Sequence, residues 1–131
     1  MNRTSLFLFY WLPFLIYITL IVFVSSQSYL PSAAEHVPDK VSHFLEYAVF
    51  AFLFLRALTQ GVLSLSKGRS GWIVLIGGAL FGASDELYQS FIPNRTCSLY
   101  DWIADVAGIT GMITLIIIWN RFKEGPATQT I

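Results

Sequence analysis

Four apolar runs, each close to twenty residues long, constrain this chain more than any other feature: about Leu6–Val24, Val41–Gly61, Gly71–Ile92 and Tyr100–Trp119. A helix needs roughly 20 apolar residues to cross a hydrocarbon core of about 30 Å. No water inside a bilayer satisfies the backbone, so such runs form helices unless they alternate as barrel strands do. These runs do not alternate. The sequence therefore predicts an all-α membrane protein, with four transmembrane helices in a bundle.

Composition agrees with that reading and narrows the function. Only 12% of the 131 residues are charged while 55% are hydrophobic; a soluble domain carries about a quarter charged residues. A net charge of zero supplies no basic field for nucleic acid. Cys97 is the single cysteine, which excludes an intramolecular disulfide and a CxxC-type metal site. Arg3 before an apolar run resembles a signal peptide, but the run exceeds the usual roughly 7–15 residues and no A-x-A site follows. It is read as an uncleaved span.

The chain reads as one membrane domain over 1–131. The spans are joined by a loop at 25–39, a short loop at 63–70 and a turn at 92–99. Residues 120–131 form a polar tail, expected to be disordered and cytoplasmic. With the N-terminus inside, six basic residues fall on the inner side (Arg3, Arg56, Lys67, Arg69, Arg121, Lys123) and two on the outer (Lys40, Arg95). The positive-inside rule then places both termini in the cytoplasm.

That topology gathers the ionisable residues at one end. Span two begins at the outer face with Asp39, Lys40, His43, Glu46 and Tyr47; span three ends there with Asp85, Glu86 and Gln89; span four starts there with Asp101 and Asp105. At about 1.5 Å per residue, Glu46, Glu86 and Asp105 lie roughly 6–9 Å below the boundary. Helical spacing puts Asp39, His43 and either Glu46 or Tyr47 on one face. Gly78, Gly82, Glu86 and Gln89 share another, with Asp85 at its edge, and Asp101, Asp105, Gly108 and Met112 a third. Glycines on two of these faces allow close helix approach.

These groups are expected to face inward, since a charged side chain at a span centre costs about 2.5–3.5 kcal/mol. Seven acids (Glu35, Asp39, Glu46, Asp85, Glu86, Asp101, Asp105) stand against two bases near the outer side. Pairing alone does not neutralise them. Structural roles compete for some positions. Asp39 after Pro38 reads as a helix N-cap, and Ser98 with Asp101 has the spacing of a capping box. Arg95 reads as snorkelling to headgroups, and His43 as bonding a loop carbonyl. Glu86 and Asp105 have no local capping role.

Three blocks, DKVSHFLEY (39–47), DELYQSFIPNR (85–95) and SLYDWIADVAG (98–108), resemble the VanZ-like family of small membrane proteins. The family pattern falls on Asp39, Lys40, His43, Tyr47, Glu86, Gln89, Pro93, Arg95, Asp101, Asp105 and Gly108, covering spans two to four. Asp105 departs from it, standing where Asn is usual. The resemblance implies a multi-pass protein of the bacterial cell membrane and a link to teicoplanin-type antibiotic susceptibility.

Two functions fit the outer cluster. In the first, Lys40, His43 and Arg95 hold the anionic headgroup of a membrane lipid or a lipid-linked cell-envelope precursor. Glu86, Gln89, Asp101 and Asp105 then bind its sugar hydroxyls or orient the bases, with Tyr47 also among the binding residues. In the second, the chain is an intramembrane hydrolase or transferase acting on a glycolipid or lipid phosphate. Glu86 and Asp101 serve there as acid and base or nucleophile, and His43 shuttles a proton or joins carboxylates on a divalent metal. No metal-ligand set and no cofactor is assigned, and no catalytic motif such as G-x-S-x-G or H-E-x-x-H occurs. A transporter ranks last, because four spans are few and no inverted repeat is visible.

Overall fold

The computed structural model describes residues 1–28 and 38–124, and their regular structure is entirely helical, with no strand among the described residues. Four helices follow in order: α1 (Arg3–Ser25), α2 (Asp39–Gln60), α3 (Lys67–Gln89) and α4 (Leu99–Glu124). Glu35 and residues 125–131 of the expected tail lie outside the described residues. The rest of that expected tail, 120–124, is helical and extends α4. Lys67 pairs with Glu124 at 3.5 Å there, and Arg121 and Lys123 complement the helix dipole in the last turn.

Local chemistry explains each boundary. Asn2 caps α1 by accepting the Ser5 N–H at 2.8 Å. Pro13 has no N–H to continue the ladder, and the turn before it, Phe7–Trp11, widens to π geometry, with the Leu12 N–H reaching back to the Phe7 carbonyl. Pro38 stands at the N-cap of α2, so Asp39 is the first helical residue rather than a side-chain cap. Its charge still suits the positive end of the helix dipole. Helix α3 begins at Lys67, within the stretch expected as loop, and ends at Gln89. Asn94 takes a left-handed conformation (φ 64°) in the turn to α4.

Helices α1, α2 and α4 are long and apolar enough to cross a membrane. Helix α3 is of similar length but is not in that group; Asp85 and Glu86 interrupt its apolar run. Large apolar side chains such as Ile16, Ile76, Leu80 and Leu115 are exposed around the bundle. A soluble monomer rarely leaves so much apolar surface in water, and a lipid environment removes the penalty.

Inside, α2 packs most closely on α4. A Cβ at Gly108 would run into the Phe44 carbonyl and lie 3.1 Å from the Ala48 nitrogen, so the two backbones touch there. Aromatic rings fill the middle: Phe14 stacks on Phe54 at 4.5 Å, and Phe50 on Phe81 at 5.5 Å. Close helix approach on one side and ring packing on the other set the rotations that aim the polar residues inward.

Candidate functional site

Three helices bring buried ionisable side chains together just outside that aromatic layer. His43 from α2 lies between Asp105 from α4 and Glu86 from α3. Its Nδ1 is 2.9 Å from Asp105 Oδ1 and 3.9 Å from Glu86 Oε1. All three residues are buried, with Glu86 3% and Asp105 1% exposed. Gly82 makes room for this arrangement: a Cβ there would stand 3.0 Å from Asp105 Oδ2 and 3.3 Å from the Tyr47 ring.

The remaining contacts fix the edges of the cluster. The Ser98 backbone N–H donates to Glu86 Oε2 at 2.8 Å, tying α3 to the start of α4. Ser98 Oγ accepts the Asp101 N–H at 3.3 Å, so half of the expected capping box forms. The other half does not, because the Asp101 carboxylate takes a hydrogen bond from Lys40 Nζ at 3.1 Å instead. The Lys40 side chain is 59% exposed and forms the rim. On the outer side of the imidazole, Nε2 is 4.0 Å from Asp39 Oδ1.

Three atoms in this region have no hydrogen-bond partner despite full burial: Tyr47 OH, Glu86 Oε1 and Asp105 Oδ2. Such groups are uncommon in folded proteins, because a buried unpaired polar atom retains its full desolvation penalty. Two sets of side chains also have the spacing of cation ligands: His43, Glu86 and Asp105, all buried, and Asp39, His43 and Asp101 nearer the rim.

Five of the eight residues selected from the sequence meet directly here: Lys40, His43, Glu86, Asp101 and Asp105. Tyr47 lines the inner wall. Gln89 and Arg95 are placed elsewhere. Gln89 turns toward α1, donating to Ser25 Oγ and Asp85 Oδ2, both at 3.3 Å. Ser25 itself donates to Asp85 Oδ2 at 2.8 Å. Arg95 neither faces the cluster nor snorkels; its Nε and Nη2 bind the carbonyls of Gln27 and Val24 at 3.0 and 3.1 Å, closing the C-terminus of α1.

Ser25 and Asp85 are the residues that sequence reasoning underrated. The polar run Ser25-Ser26-Gln27 ending the first apolar stretch is the signal that marks α1 as a partner of α3. Where the sequence suggests a polar pocket between spans two, three and four, the structure places the buried side chains of His43, Glu86 and Asp105. A cavity of about 720 Å³ lies at the opposite end, between α2, α3 and α4, with Arg56, Lys67, Trp72 and Asn120 among its lining residues.

Comparison with known proteins places the chain in a family. The family model VanZ/LLP1 matches residues 3–120. The chain belongs to the VanZ/LLP1 family. The match includes α1, whose Ser25 bonds to Asp85 on α3, and so extends the resemblance beyond the three blocks. This VanZ/LLP1 protein is also similar to an uncharacterized protein of the yeast Schizosaccharomyces pombe, 29% identical over 107 residues, or 81% of this chain and 63% of the relative. No solved structure matches the VanZ/LLP1 chain.

Proposed function

We propose that the chain is a single-domain, four-span protein of the cell membrane with both termini cytoplasmic. In this reading its outer-end cluster engages the headgroup of a membrane lipid or lipid-linked envelope precursor. Helix α3 counts as the fourth span because Asp85 and Glu86 turn into the protein while Trp72, Ile76, Leu80 and Leu87 remain outward. The observation that carries the headgroup reading is the pairing of exposed Lys40 with buried Asp101 beside His43 and Asp105. It offers a cationic donor at the rim and carboxylate acceptors beneath it, the complement of a phosphate followed by hydroxyls. A similar protein in a yeast favours headgroup chemistry common to bacterial and eukaryotic membranes. A lipid-linked envelope precursor would connect the site to teicoplanin susceptibility, as the family resemblance implies.

Binding of fluorescent phosphatidylglycerol, phosphatidic acid and polyprenyl phosphate to the purified protein in detergent tests this. Phosphate-bearing lipids should bind the wild type and bind Lys40→Ala at least several-fold more weakly, with a neutral diacylglycerol as the negative control. Equal affinity for all of them, or no effect of Lys40→Ala, removes the reading.

A second reading, hydrolysis or transfer on a lipid phosphate or glycolipid, is favoured by one further observation. Glu86 and Asp101 stand in unlike settings: Asp101 is ion-paired at the rim, whereas Glu86 has one oxygen bonded to a backbone N–H and the other unpartnered. Unequal carboxyl environments are how one site supplies both acid and base. Turnover of these lipids that persists in Glu86→Gln and Asp101→Asn would rule this out.

A further inference from the structure

We propose that His43 Nδ1, Glu86 Oε1 and an Asp105 carboxylate oxygen form a binding site for one first-row divalent metal ion, of the Zn²⁺ or Mn²⁺ class. The inference deepens the reading of the outer cluster and depends on that cluster being a functional site.

The first argument is charge. Glu86 and Asp105 are buried carboxylates, and the structure gives Glu86 Oε1 and Asp105 Oδ2 no donor. Each carboxylate has a hydrogen bond on one oxygen only, and burying an incompletely compensated anion costs several kcal/mol, even after relaxation. Of the neighbouring bases, Lys40 reaches Asp101 and Arg95 the carbonyls of α1, so neither touches Glu86 or Asp105, and His43, bonded to one Asp105 oxygen at 2.9 Å, offers at most one positive charge against two carboxylates. A divalent cation among two carboxylates and a neutral imidazole closes the charge balance and supplies the missing partner to Glu86 Oε1.

The second argument is geometry. The three ligating atoms come from three helices and lie within 4.8 Å of one another. Metal–ligand bonds of about 2.0–2.2 Å place adjacent ligand atoms about 2.9–3.5 Å apart. The Nδ1–Oδ1 separation of 2.9 Å is already in that range, and the 3.9 Å separation to Glu86 Oε1 requires a closer approach of about 0.4–1 Å on the same scale. Mixed imidazole and carboxylate ligands suit transition ions better than Ca²⁺ or Mg²⁺.

The third argument is the support around the ligands. Ser98 holds the other Glu86 oxygen through its N–H, which orients the carboxylate. With Nδ1 on the ion, Nε2 carries the ring proton and points toward Asp39, 4.0 Å away, an outer carboxylate positioned to orient a ligating histidine. The rim set of Asp39, His43 and Asp101 is the weaker candidate, since Asp39 is exposed and Asp101 is held by Lys40.

Chelator-stripped protein in detergent, titrated with Zn²⁺ and separately with Mn²⁺, provides the test. Calorimetry is read together with metal content after gel filtration. One ion per chain is expected, with at least tenfold weaker binding in Glu86→Gln and in Asp105→Asn, each verified as folded by circular dichroism. Asp85→Asn, which alters a different buried carboxylate, should bind like the wild type. A shift of the His43 ring ¹⁵N resonances on adding Zn²⁺ should accompany binding. No stoichiometric binding by the wild type, or undiminished binding by both Glu86→Gln and Asp105→Asn, overturns the proposal. The lipid assay repeated on stripped protein separates the two claims. Lipid binding without metal binding removes only the ion site, and metal binding without lipid binding removes only the headgroup reading.

Discussion

Glu86 and Ser98 are joined by a 2.8 Å hydrogen bond from the Ser98 backbone N–H to Glu86 Oε2, across the turn between α3 and α4. One carboxylate thereby serves two ends of the structure: one oxygen secures the turn while the other faces His43 at 3.9 Å. Glu86→Gln retains a carbonyl acceptor for Ser98, and Glu86→Ala removes it. The alanine variant should lose about 1–3 kcal/mol, the penalty for an orphaned buried partner, and the glutamine variant much less. Thermal melts in detergent that give the two variants equal stability would show that the turn bond contributes nothing.

Arg95 makes a contrasting prediction, because the structure assigns it to the backbone of α1 and not to a ligand. Arg95→Ala leaves the Val24 and Gln27 carbonyls without these charge-assisted bonds and should destabilise the protein by about 1–3 kcal/mol. Its lipid affinity, measured on the folded fraction, should stay within about twofold of wild type, since roughly 0.4 kcal/mol is all that a twofold change represents. A large affinity loss without a stability loss would return Arg95 to the role expected from sequence.

Lys40→Ala should behave in the opposite way. The pair with Asp101 is largely solvent-exposed on the lysine side, and such pairs contribute about 0–1 kcal/mol. Stability should therefore barely change while phosphate-lipid binding falls, and the wild-type affinity should weaken with added salt. Denaturation midpoints and lipid titrations at two ionic strengths measure both effects.

Gly108 sets the distance between α2 and α4. A leucine there would collide with the Phe44 backbone and push His43 away from Asp105. Overpacking of this kind costs typically about 1–3 kcal/mol, and more where backbone blocks relief. Gly108→Leu should lower both the melting temperature and the yield of monodisperse protein. Gly68→Leu, at a glycine with no atoms near its would-be Cβ, is the matched control and should melt near wild type.

Much of this arrangement was legible in the chain. Period-3.6 spacing placed His43 with Tyr47, Gly82 with Glu86, and Asp101 with Asp105 and Gly108 on inward faces, and burial follows those faces. The choice of partners was less legible. Whether Asp101 completes its capping box or turns to Lys40 depends on helix rotation, which the contact at Gly108 fixes and local sequence does not. Gln89 and Arg95 bond to groups at the end of α1 and to Asp85, contacts that no local spacing in the sequence signals. The end of α1 and the residues just after it offer the Ser25 hydroxyl and the carbonyls of Val24 and Gln27, and these take up both side chains.

The cavity of about 720 Å³ at the end opposite the cluster gives the bundle a mechanical polarity. At the cluster end, side-chain hydrogen bonds and ion pairs cross between all four helices. Beside the cavity, α3 and α4 meet through the exposed Lys67–Glu124 pair. Local opening follows the thinnest packing, so the helices should part first beside the cavity, like the free arms of a pair of tweezers whose joint is the polar cluster. Hydrogen exchange should register that gradient along each helix, fast near Gln60 and Lys67 and slow near His43 and Asp105.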